Sequence, residues 1–129
     1  MSQITTWDEF PVVEYVPGVL RQAVSGEKVM MTRIVYRNGA VIPDHSHEAE
    51  QIMLVTHGRL WCRVGTEEKE VGPGGLLIIP SNVTHAFRQL GDDDVRFYEC
   101  FAPIRLEYLI GFKGPDPARQ MMVDELGEG

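Results

Sequence analysis

Glycine and proline interrupt this chain at short intervals, and that spacing leaves room mainly for short strands. Pro17-Gly18, Gly26, Asn38-Gly39, Pro43, Gly58, Gly65, Gly72-Pro73-Gly74-Gly75, Pro80 and Gly91 punctuate it. Between them lie runs rich in Val, Ile, Leu, Thr, Tyr and Phe, the pattern of an all-β sandwich or barrel. Strands are expected near 19–24, 28–37, 41–46, 50–56, 59–64, 76–79, 84–89 and 95–102. Gly65 to Lys69 and Gly91 to Asp94 read as polar hairpin tips. Asp92, Asp93 and Asp94 lack the spacing and terminal Glu of an EF-hand calcium loop, so a solvated turn is expected. Helix is scarce. Thr6 is placed to cap a short turn through Trp7, Asp8, Glu9 and Phe10. After Pro103, Leu106, Leu109 and Ile110 fall on a helical period. The expected architecture is a double-sheet jelly-roll barrel.

Two short segments carry a shared chemistry. The first runs Gly39, His45, His47, Gln51, Gly58, and the second Gly74, Pro80, Asn82, His85, Gln89. His45 and His47 are two apart, so on an extended strand both imidazoles point to one face. Gln51 lies four residues past His47 and returns to that face if the strand stays regular, whereas Glu50 then points away. His85 must come from a second strand. Four neutral nitrogen and oxygen donors converging inside β-structure point to one divalent transition metal. His57, beside the turn Gly58, is expected at the surface. Ser81 and Thr84 read as turn and strand-entry residues, because His85, the nearby base, is claimed by the metal.

The joint pattern resembles the two motifs of the cupin family, Gly-x5-His-x-His-x3-Glu-x6-Gly and Gly-x5-Pro-x-Gly-x2-His-x3-Asn. Gly39, His45, His47 and Gly58 match the first, with Gln51 in the glutamate slot. Gly74, Pro80 and His85 match the second, with Asn82 in place of glycine and Gln89 in place of asparagine. The resemblance spans about residues 28–103 and implies the cupin double-stranded β-helix as one domain over 1–129. A tail over 114–129 is expected to be flexible, with Met121, Met122 and Val123 available to dock on a neighbour. The amide at position 51 replaces the carboxylate of the usual iron-oxygenase triad. Three histidines and one amide leave the ion's charge uncompensated, which favours Lewis-acid work on an oxygen-bearing, anionic substrate. Zinc, manganese, nickel and iron all remain open.

A second constellation occupies Val95 to Arg105. Glu99 and Phe101 share one strand face, Tyr98 and Cys100 the other. If Phe101 faces the interior, so does Glu99, and a carboxylate there must pair or work. Arg105, just past Pro103, could fold over the barrel mouth and meet it. The alternative leaves Glu99 solvated and Arg105 an ordinary surface cation. The series Glu99, Phe101, Arg105 is similar to the last strand of small cupins of pectin and alginate breakdown that linearise 4,5-unsaturated uronates. That resemblance implies His45, His47, Gln51 and His85 as metal ligands and Glu99 as acid/base group. It further implies Phe101 as a cavity wall and Arg105 as partner of the substrate carboxylate. Glu99 stands where that subgroup has Asp, so the carboxyl is moved by roughly one bond length. The segment Ile79 to His85 is also similar to this subgroup.

Composition narrows the classes. The 129 residues suit one domain, with 43% hydrophobic and 24% charged residues. A net charge of −7 without any basic run argues against a nucleic-acid partner. Cys62 and Cys100 read as two free thiols of a cytoplasmic protein. The opening residues lack the basic and apolar regions of a signal peptide, and the apolar run Leu76 to Ile79 is too short to span a bilayer. A homodimer is expected, with Ile4, Trp7, Phe10 and Val12 available to cross to a neighbour. Other readings are a metal-dependent dioxygenase, a polyketide-type cyclase or decarboxylase, and a non-enzymatic barrel that binds a small ligand or senses metal.

Overall fold

The computed structural model describes residues 3–114, 116 and 124. Among them ten strands follow one another: β1 Val13–Val16, β2 Val19–Ser25, β3 Met30–Tyr36, β4 Val41–His45, β5 Glu50–His57, β6 Arg59–Val64, β7 Glu67–Val71, β8 Leu76–Ile79, β9 His85–Leu90 and β10 Val95–Ala102. They form two antiparallel sheets, one ordered β1-β2-β3-β10-β5-β8 and the other β4-β9-β6-β7. This is the jelly-roll barrel expected of the cupin pattern, with a short 3-10 turn at Leu106–Tyr108 near the C-terminus.

Strand alternation builds the interior. Along β3, Met30, Thr32, Ile34 and Tyr36 are buried while Met31 and Arg33 are exposed. Along β10, Val95, Phe97, Glu99 and Phe101 are buried. Phe97, Phe101, Met30, Met53, Leu60 and Ile79 are the largest side chains wholly withdrawn from solvent. Burying each such residue contributes roughly 1.5–3 kcal/mol.

Two strands escape the sequence pattern. β7 reads Glu-Glu-Lys-Glu-Val and has no apolar alternation, yet it pairs with β6 from Leu60↔Val71 to Val64↔Glu67. It is the outer strand of its sheet, where charge discourages pairing with another molecule. The hairpin tip therefore shrinks to Gly65 and Thr66, rather than running to Lys69. β1 is only four residues long and pairs with β2 around Pro17-Gly18. β3 begins at Met30, not at residue 28, because Gly26 and Val29 close a turn first. Thr6 precedes a 3-10 turn at Trp7–Glu9 but makes no side-chain cap. Trp7 and Phe10 are tied to their own chain: Gln22 Nε2 donates to both of their carbonyls, and the Trp7 ring stacks on Tyr98. Ile4 and Val12 stay exposed.

The motif positions have distinct physical duties. Gly58 has φ +77°, and a Cβ there would stand 2.5 Å from the Asp94 carbonyl oxygen. Only glycine satisfies both demands. Asn82, in a glycine slot, takes φ 63°, a conformation asparagine tolerates better than most residues. Gln89 Oε1 accepts from the backbone N–H groups of Gly39 and Ala40, and its Nε2 donates to the Asp93 carbonyl. It thereby ties the second motif to the start of the first. Cys62 and Cys100 are both free thiols. No helix among the described residues is long and apolar enough to cross a membrane. The segment proposed to dock through Met121, Met122 and Val123 lies outside the described residues.

Candidate metal centre

His45 ends β4 and stands directly across from His85, the first residue of β9. His47 lies past the end of β4, where the chain turns over toward the other sheet. Its carbonyl accepts the Asn82 N–H at 2.8 Å, which fastens this turn to the second motif. Gln51 then arrives as the second residue of β5, between Phe101 of β10 and Ile79 of β8. The assumption of one regular strand from His45 to Gln51 is thus corrected. Gln51 faces inward through the alternation of β5 itself, where Gln51, Met53 and Val55 are buried and Glu50, Ile52 and Leu54 are exposed. His57 shares that parity but is exposed, because a register shift lies between Arg96↔His57 and Phe97↔Val55.

The three histidines offer ligand atoms that all lie within 4.8 Å of one another. Each ring is oriented from behind by a carbonyl. His45 Nδ1 donates to Pro43 O at 3.0 Å, His47 Nδ1 to Ala49 O at 2.8 Å, and His85 Nδ1 to Val83 O at 2.8 Å. With the proton on Nδ1, each Nε2 carries a lone pair. His85 Nε2 is buried with no hydrogen-bond partner. His47 Nε2 faces Gln51 Oε1 at 3.1 Å. Two acceptors at that distance repel unless a positive centre lies between or beside them. While Glu99 is ionised the Gln51 amide is held in this orientation, because its Nε2 donates to Glu99 Oε2 at 2.5 Å. The donor set therefore fits a divalent cation, with backbone carbonyls orienting the ring ligands.

The rings are also held neutral. Burial is the main cause, pushing His45 down to about 3 with help from His85, and His47 down to about 4 with help from Arg105 and His85. Burial lowers His85 as well. A neutral imidazole is the form that binds a metal.

Glu99 faces inward and is 6% exposed. Thr32 Oγ1 donates to its Oε1 at 2.8 Å, and Gln51 to its Oε2. Burial pushes its carboxyl up to about 7; the Thr32 bond, Arg105 and Arg21 pull the other way. A buried carboxyl able to hold or release a proton near neutral pH thus touches a side chain that also touches a histidine of the cluster. Phe101 is buried beside His47, with ring centroids 5.8 Å apart.

Arg105 enters the same cavity but does not meet Glu99 in a salt bridge. Its Nε donates to Glu107 at 2.8 Å and its Nη1 to the Tyr108 hydroxyl at 2.6 Å. The 3-10 turn brings both partners onto the guanidinium, an arrangement that the helical period of Leu106, Leu109 and Ile110 did not indicate. Tyr108 is the buried residue of that turn. The cavity here is small, about 20 Å³, and partly open to solvent; His45, Gln51, Glu99 and Arg105 line it, whereas His47, His85 and Phe101 do not. Its wall includes Tyr15, Arg21, Tyr36 and Tyr108, none of which belongs to a sequence motif. Thr32 lies outside the motifs as well. Parity would have found Thr32 and Arg21: Thr32 alternates with Ile34, and Arg21 with Val19, on inward faces.

Solved structures share this architecture. The chain is similar to KdgF from Halomonas sp., with TM-score 0.76 and 24% identity over 84% of this chain and 100% of that one. It is similar to an RmlC-like cupin from Shewanella frigidimarina, with TM-score 0.77 and 19% identity over 84% of this chain and 97% of that one. The Cnp3 cupin domain of Schizosaccharomyces pombe superposes with TM-score 0.67 and 15% identity over 91% and 80% of the two chains. No curated protein matches it in sequence. The family model described as "Cupin domain" matches residues 32–101, and that span holds His45, His47, Gln51, His85, Glu99 and Phe101. With the motifs, the barrel and the family match in agreement, this chain belongs to the cupin domain family.

Proposed function

We propose that this cupin is a metal-dependent enzyme converting 4,5-unsaturated uronate monomers into linear keto-uronates. The observation that carries the reading is the buried Glu99 carboxyl, linked through Gln51 to the three-histidine cluster. The sequence similarity to uronate-linearising cupins and the structural similarity to KdgF support it.

His45, His47, His85 and the Gln51 oxygen would hold one divalent ion. When bound, it would supply Lewis-acid polarisation of a substrate oxygen. The remaining chemistry belongs to the chain. Glu99 takes the proton from the anomeric hydroxyl as the C1–ring-oxygen bond breaks, leaving an aldehyde and an enol oxygen on C5. The enol then collapses to the ketone as a proton is delivered to C4. No net oxidation occurs, and the proton removed balances the proton added. A carboxyl held near pH 7 serves both directions of transfer. Arg105 orients the substrate carboxylate, and Phe101 packs behind it against His47 and the Arg105 guanidinium.

The test is turnover of a freshly prepared 4,5-unsaturated uronate, followed as loss of its ultraviolet absorbance. Metal-loaded protein should accelerate the reaction over the spontaneous rate, and chelated protein and His47→Ala should not. Absence of acceleration in protein shown to contain metal discards the uronate assignment.

A further inference from the structure

Arg21 is the least explained charge among the described residues. It sits on β2, 7% exposed, and lines the cavity together with His45, Gln51, Glu99 and Arg105. Its Nε and Nη1 are buried without any hydrogen-bond partner, and Nη2 of Arg105 is likewise unpartnered. Both guanidiniums rest on the ring of Tyr108, with Arg21 Cζ 4.3 Å and Arg105 Cζ 4.0 Å from its centroid. The two cations therefore lie no farther apart than those distances combined. Among the described residues the nearby carboxylates already hold other partners, although Asp116 also attracts Arg21. Glu107 binds Arg105, Glu99 binds Thr32 and Gln51, and Asp116 accepts from the Tyr15 hydroxyl at 3.1 Å. A guanidinium withdrawn from water without hydrogen bonds is costly, and two side by side are costlier still. An anion entering the cavity removes that cost.

We propose that Arg21 is a substrate-anchoring residue, which binds the substrate carboxylate together with the free Nη2 of Arg105. Arg105 is held in place by Glu107 and Tyr108, so Arg21 supplies most of the unspent donor capacity. The inference rests on the uronate reading for its choice of ligand, and it assigns acid recognition to β2, outside the last strand.

The probe is D-galacturonate, a saturated acid that cannot react, compared with its uncharged methyl ester by calorimetry on the metal-loaded protein. The wild type should bind the acid at least tenfold more tightly than the ester. Arg21→Met should erase that preference while melting near the wild-type temperature, and Arg21→Lys should keep part of it. Should Arg21→Met fail to fold, the ¹⁵N resonance of Arg21 Nε–H in the wild type decides. It should move on titration with the acid and stay still with the ester. A folded Arg21→Met that keeps the preference, a wild type with none, or an unmoved Nε resonance overturns the proposal. The two readings fail separately. Acid recognition through Arg21 without turnover of unsaturated uronate discards only the reaction. Turnover with wild-type KM in Arg21→Met discards only the anchor.

Discussion

Gln51 donates its amide N–H to Glu99 at 2.5 Å while its oxygen faces His47 at 3.1 Å, so one side chain spans two chemistries. The neighbouring strands β5 and β10 make this possible, with Gln51 across from Phe101 and Glu99 one inward position farther along. A carboxylate at position 51 would set two acids against each other at that distance. The amide instead offers an oxygen to the cluster and a proton to the carboxylate.

Glu99→Gln keeps the volume of the side chain but removes its capacity to transfer a proton. Turnover should fall by 10² or more, while metal content measured by elemental analysis stays near that of the wild type. Full activity in this variant would remove Glu99 from the mechanism.

Thr32 touches Glu99 but not the histidine cluster, so it acts by tuning. Thr32→Val retains the shape and deletes the 2.8 Å bond that favours the charged carboxylate. A hydrogen bond to a charged group contributes roughly 1.5–3 kcal/mol. The ionisation governing kcat should therefore move about one pH unit or more upward. An unchanged pH–rate profile would show that Thr32 merely fills space.

Stability of the chelated protein should carry the same signature. The Glu99 carboxyl lies at about 7 in the fold, against 4.5 for the ordinary group. Between these values the folded state holds the proton more tightly, so stability falls as pH rises through this window and stays lower above it. His45 and His47, pushed down to about 3 and about 4 from 6.5, act oppositely and cost stability as pH falls below 6.5. Glu99→Gln should abolish only the first effect, a gain approaching roughly 3 kcal/mol above pH 7 and vanishing below pH 4.5. Urea titrations across that range read it directly, and a gain independent of pH would contradict the assignment.

Gly58→Ala tests a motif glycine far from any chemistry. The substitution combines a positive φ with a Cβ 2.5 Å from the Asp94 carbonyl oxygen. We expect a loss of about 2 kcal/mol or more in thermal or urea unfolding. Gly39 shares a positive φ but has open space at its Cβ position, so Gly39→Ala should cost less.

The sequence by itself determined the all-β class through local rules, and its motif resemblance determined the family and the grouping of three histidines. Turn residues at short intervals divide the chain into strands, and parity within a strand decides which side chains face inward. Glu99 with Phe101 was legible for that reason, whereas Gln51 faces inward by the alternation of β5 and not by its count from His47. The tertiary structure decided what parity cannot reach. Gln51 and His45 belong to opposite sheets, which no count of residues between them reveals. β7 is a strand because β6 offers a hydrogen-bonding edge, although its own residues are charged. Arg105 engages Glu107 and Tyr108 in place of Glu99, because a 3-10 turn places both within its reach. Arg21 joins the site from a strand far away in sequence, by alternation on β2 and by closure of the barrel around Tyr108. Spacing along a chain sets the direction of a side chain. Which charges meet is set by the packing of sheets, and so the partners of Glu99, Arg21 and Arg105 were decided only by the folded barrel.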